Sequence, residues 1–65
     1  MIVIRTRRET RQACRFEGNE AMAAIGRAAR ALETSPRRVI ERMRAGEEVR
    51  TSFFTYRLDG YVSDG

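Results

Sequence analysis

The chemistry available to this chain is almost entirely that of arginine. All 13 basic residues are arginine and none is lysine, against 9 carboxylates, giving a formal net charge of +4 and a pI near 10.6. A guanidinium is a planar, permanently charged fork that matches phosphate oxygens and the O6/N7 edge of guanine. A GC-rich coding sequence also favours arginine codons and is the other reading of the missing lysine. The spacing says more than the count. Arg5, Arg7, Arg8, Arg11 and Arg15 fall within the first 16 residues against Glu9 alone, so that segment carries a net +4 and the remainder balances to zero. A second group, Arg37, Arg38, Arg42 and Arg44, has Glu41 as the only acid among it. Stripes of this kind are the electrostatic footprint of a polyanion binder.

Other chemistries are poorly supplied. Histidine and tryptophan are absent, and Cys14 stands alone. An internal disulfide, a cysteine-rich zinc site, a hydrolytic triad and a histidine-dependent nuclease are therefore excluded. The expectation is a protein that is not an enzyme, with no catalytic residues, no cofactor and no metal. Glu47, Glu48 and Asp59 are the carboxylates to consider should metal-dependent cleavage be found. Cys14 is expected to act as a small buried or half-buried hydrophobe, with an intermolecular disulfide or reactive thiol as the alternative.

These side chains must be positioned by one small domain. Sixty-five residues leave 27 hydrophobic ones, of which 8 are alanine, so 19 larger apolar side chains remain. That suffices for one two-layer core, or for a dimer sharing one. No apolar run approaches the ~20 residues of a membrane span, and Met1 to Arg5 is too short for a signal peptide. The reading is a soluble, cytoplasmic chain with no membrane partner.

Period-two and helical patterns divide the domain. Ile2-Val3-Ile4 opens a strand to about Arg7, Arg8-Glu9-Thr10 forms a turn, and Gln12 to Phe16 a second strand. The pair makes a hairpin with a mostly arginine outer face; a single irregular basic arm is the alternative. Asn19 is an N-cap candidate for a helix from Glu20 to Glu33, with Met22, Ile25, Ala28, Ala29 and Leu32 on one apolar stripe and Arg27 and Arg30 off it. Gly26 marks either a close contact or a break. Ser35-Pro36 starts a second helix running to about Ala45, with Gly46 as its stop and Val39, Ile40 and Met43 inward. Alternating aromatics then predict a strand from Arg50 to Leu58, a tight turn at Asp59-Gly60 and a brief return at Tyr61-Val62, before a frayed tail. The aromatic strand is read as core rather than as a base-stacking platform. The fold class is α+β, with residues 1–17 a basic arm, 20–46 a helix–turn–helix and 49–62 a C-terminal strand region.

The helix pair resembles a helix-turn-helix. With its flanking strand, the stretch carrying Ile25, Ala28-Ala29, Leu32, Ser35, Val39, Met43, Gly46 and Phe53 to Tyr56 is similar to the small modular DNA-binding domains attached to homing endonucleases. The likeness covers about half the chain; Glu33 stands where such turns carry glycine. It implies a phage or mobile-element regulator that binds double-stranded DNA. Arg37 and Arg38 would lie near base edges, Arg42 and Arg44 on phosphates or flanking bases, and Arg5, Arg7, Arg8 and Arg11 on the backbone. A homodimer would supply affinity that one unit lacks. The alternative is a small phage-type inhibitor or adaptor docking its basic face on a host protein. A ribbon-helix-helix dimer, pairing residues 2–7 across a two-fold, ranks below both.

Overall fold

The computed structural model describes residues 1–60, so the Tyr61-Val62 return and the tail lie outside the described residues. β-Branched side chains open β1 (Ile2–Arg7), and a turn at residues 8–12 returns the chain as β2 (Ala13–Glu17). The helices α1 (Gly18–Ala31) and α2 (Pro36–Arg44) follow, then a second hairpin of β3 (Val49–Arg50) and β4 (Phe54–Gly60). The four strands form one antiparallel sheet in the order β2-β1-β4-β3, which makes the domain α+β. β1 is thus flanked on both sides by strands of its own chain, leaving it no free edge for pairing across a two-fold.

Register and alternation decide which side chains meet the helices. Val3 lies opposite Phe16 on one side and Leu58 on the other, Arg5 opposite Cys14 and Tyr56, and Val49 opposite Tyr56. These residues share the helix-side face. The core there joins Val3, Val49 and Tyr56 to Ala21, Ala24, Ile25, Ala28 and Ala29 of α1 and Val39 and Met43 of α2. Alanine at four of the five buried α1 positions keeps that helix close to its neighbours. Complete burial of Val3, Ile25, Val39 and Val49 contributes about 1.5–3 kcal/mol each before entropy is subtracted.

Several sequence expectations change. The buried face of α1 is turned toward Ala21 and Ala24, so Met22 stays exposed. The helix begins at Gly18 rather than Glu20 and ends at Ala31 rather than Glu33; its N-cap is Glu17, with no side-chain cap from Asn19. Gly18, at φ 56, makes the direct joint from β2 into the helix. Gly26 lies within an unbroken helix, and a Cβ there would meet nothing within 4 Å, so neither a close contact nor a break accounts for it. Cys14 is exposed, because edge strand β2 extends beyond the cover of the helices.

The C-terminal strand is two strands, broken at residues 51–53. The break is made by Thr51: its amide donates to the Phe54 carbonyl at 2.8 Å, and its Oγ1 accepts from the Phe54 amide at 3.1 Å. Asp59-Gly60 continues β4 instead of turning, with Gly60 paired to Ile2 across a register shift.

Both helices end alike. Thr34 donates to the Ala29 carbonyl and Glu33 to that of Arg30, at 2.9 and 3.2 Å; Glu47 donates to Arg42 and Gly46 to Met43, at 3.1 and 3.0 Å. This pattern needs a left-handed residue after the helix. Gly46 supplies it at φ 88, and Glu33 supplies it at φ 54 without being glycine.

Candidate nucleic-acid interface

The turn between β1 and β2 collects cations. The Arg7 amide donates to the Gln12 carbonyl at 2.8 Å and the Arg11 amide to the Arg7 carbonyl at 2.7 Å, with Arg11 left-handed at φ 63. Arg8 ties this turn to the second hairpin. Its amide donates to the Phe53 carbonyl at 2.9 Å, and its Nη1 donates to the Thr51 carbonyl at 3.0 Å. Arg7, Arg8, Arg11 and Arg50 line one open depression of about 420 Å³, with Glu48 as its single acid. Glu48 lies 3.8 Å from Arg50. Among the described residues, no carboxylate comes within 4.0 Å of the Arg7, Arg8 or Arg11 guanidinium.

The α2 arginines do not form one patch: Arg37 and Arg44 line a hollow, whereas Arg42 is paired within the chain. Ser35 caps the helix, its Oγ accepting from the Arg38 amide at 3.3 Å, and Pro36 follows at the first turn. Burial of Val39 and Met43 leaves Arg37, Arg38, Arg42 and Arg44 exposed. Arg37 and Arg44 line a shallow hollow with Met22 and Ile40. Arg42 is engaged within the chain: its Nε and Nη2 donate to Glu47 Oε2 and Oε1 at 3.1 and 2.7 Å. The hydrogen bonds with Arg42 pull the Glu47 carboxyl below its ordinary range, and those with Glu47 raise the already high pKa of Arg42. Glu47 is brought there by the Gly46 cap.

Arg5 is placed differently from the sequence expectation. Alternation with Val3 turns it to the helix side, where its guanidinium carbon lies 5.0 Å from the Phe16 ring centroid and 4.4 Å from that of Phe54. It is half-buried, beside Tyr56. Burial pushes the Tyr56 phenol up, against the opposing charges of Arg5 and Arg27. Arg5 is held by its own fold; the outer-face arginines of the sheet are Arg15, Arg57 and Arg50. The first hairpin thus carries one arginine on its outer face beside Ile2, Ile4 and Thr6 and is not mostly arginine there.

The structure therefore brings Arg7, Arg8 and Arg11 together, adds Arg50, and sets Arg5 and Arg42 apart from them. Sequence reasoning misses Arg50 because strand pairing, not chain proximity, delivers it; its alternation with buried Val49 is the available signal. Glu47, Glu48 and Asp59 each face an arginine, Arg42, Arg50 and Arg57 respectively. No family model, curated protein or solved structure matches the chain. Among the described residues, no helix is long and apolar enough to cross a membrane.

Proposed function

We propose that this protein binds double-stranded DNA, gripping phosphates with the β1–β2 turn and presenting the first turn of α2 to the major groove. The observation that carries this reading is the convergence of Arg7, Arg8 and Arg11, without carboxylate partners, on one depression shared with Arg50. Guanidinia without internal acid partners keep their remaining donors for external phosphate oxygens, Arg8 having given one to the Thr51 carbonyl. α2 adds Arg37 and Arg38 at a helix start that has no acid in its first turn, where the dipole also favours an anion. The likeness of the helix pair to the DNA-binding modules of homing endonucleases supports the same assignment. A regulator acting as a homodimer is the form in which a unit of this size reaches useful affinity.

A second reading, an inhibitor or adaptor that docks on a protein partner, is favoured by the hollow in which Met22 and Ile40 lie beside Arg37, Arg44 and Glu41. Titration of duplex DNA across a salt series separates the two. Under the DNA reading, Arg7→Ala weakens all sequences alike and reduces the salt slope by about one ion, whereas Arg38→Ala lowers affinity for a selected site by ~1–3 kcal/mol and nonspecific binding much less. Equal, sequence-independent losses leave only a nonspecific polyanion binder. Absence of binding even at ~50 mM salt refutes the DNA reading in favour of a protein partner.

A further inference from the structure

We propose that Phe53 is a stacking platform for a nucleobase, with the adjoining phosphates held by Arg7 and Arg8. The inference rests on the nucleic-acid reading and names the part of the ligand that a phosphate grip leaves unspecified. Phe53 is 71% exposed, the most exposed large hydrophobic side chain among the described residues. Its backbone is nevertheless fixed. The Thr51–Phe54 hydrogen bonds close the turn beneath it, and its own carbonyl accepts the Arg8 amide at 2.9 Å. The aromatic ring is thus carried at the tip of a built turn.

Its surroundings match a nucleotide strand. Phe53 lines one hollow with Arg7, Arg8, Glu9 and Ser52, and a second with Arg27, Tyr56 and the Arg5 already held by Phe16 and Phe54. A strand of nucleic acid alternates flat π-faces with phosphates, and an exposed ring beside Arg7 and Arg8, with Glu9 the one acid lining that hollow, complements that alternation. A paired base inside a helix has both faces covered, so the ring takes a base that is unstacked. Such a base comes from a single strand or from an opened step in a duplex.

The variant Phe53→Trp places the only tryptophan in the chain at this position, so its indole emission reports the site alone. It is titrated with a thymidine oligonucleotide, a duplex carrying one unpaired base, and the same duplex fully paired, while anisotropy of labelled DNA measures occupancy. The expected result is saturable quenching by the single strand, the unpaired-base duplex, or both, with little at equal occupancy by the paired duplex. Which of the first two quenches identifies the source of the base. Phe53→Ala, whose fold is checked by circular dichroism, should weaken the quenching ligand about five- to a hundredfold and the paired duplex less than twofold, with an unchanged salt slope. Unquenched indole on bound DNA, wild-type affinity of Phe53→Ala, or equal effects on all three ligands overturn the stacking role and leave the proposed function standing. A wild-type protein that binds none of the three overturns both.

Discussion

Replacing Arg5 with alanine is expected to destabilise the fold itself. The guanidinium lies 5.0 and 4.4 Å from two aromatic centroids, those of Phe16 on β2 and Phe54 on β4. A cation over one ring contributes about 0.5–1 kcal/mol when exposed and about 2 when desolvated. One half-buried guanidinium shared by two rings gives about 1–2 kcal/mol in total. Its aliphatic stem also covers apolar surface, and truncation at Cβ adds about 1 kcal/mol more. The expected loss of about 2–3 kcal/mol lowers Tm by about 8–24 °C in a domain of this size. Thermal unfolding followed by circular dichroism measures it. Arg5→Met separates the contributions, restoring the stem without the charge and recovering about 1 kcal/mol of the loss. An Arg5→Ala variant that melts like the wild type but loses DNA affinity would refute this assignment and place Arg5 in the interface.

The remaining expectations probe the core, a cap and an ionisable side chain. Ala29→Leu, at a position 2% exposed, should overpack the core beneath α1 and cost ~1–3 kcal/mol; an unchanged urea midpoint would show that the neighbouring elements do not press there. Glu33→Gly should stabilise the protein by up to about 1 kcal/mol, since relief of left-handed strain exceeds the added chain entropy; a lower denaturation midpoint would count against that balance. Burial raises Tyr56 above its ordinary 10.0, so the native state holds that proton more tightly than the unfolded chain. Its stabilising effect is intact below about pH 10 and is lost as pH rises through the native value, so Tyr56→Phe should flatten the alkaline fall in stability; identical alkaline limbs would contradict this.

Features set by local chemistry are legible in the sequence. α2 is one: Ser35 caps it, Pro36 fits its first turn and Gly46 ends it. The start of α1 is hidden because a glycine joint, not a polar side chain, performs the turn out of β2. The break between β3 and β4 is equally hidden, since the Thr51 side chain makes it and an aromatic occupies its tip. The clustering of Arg7, Arg8 and Arg11 is visible from chain proximity. The arrival of Arg50 depends on the β3–β4 register, and the capture of Arg42 depends on where the Gly46 cap sends Glu47. Charge alone would put Arg5 outside, yet alternation with Val3 and two accepting rings turn it inward.

The strand order also governs how this chain can assemble. Each hairpin joins neighbours in sequence, but the β1–β4 seam brings residue 5 against residue 56. Closing a loop of about 50 residues rather than one of about 5 costs roughly 2 kcal/mol more in chain entropy. The centre of the sheet is thus the last part whose closure the contacts can repay. The two hairpins and the helix pair can form locally, whereas β1 meets β4 only when nearly the whole chain is present. Substitutions along that seam should act on the folding rate if the nucleus includes it, and on the unfolding rate if it closes after the barrier.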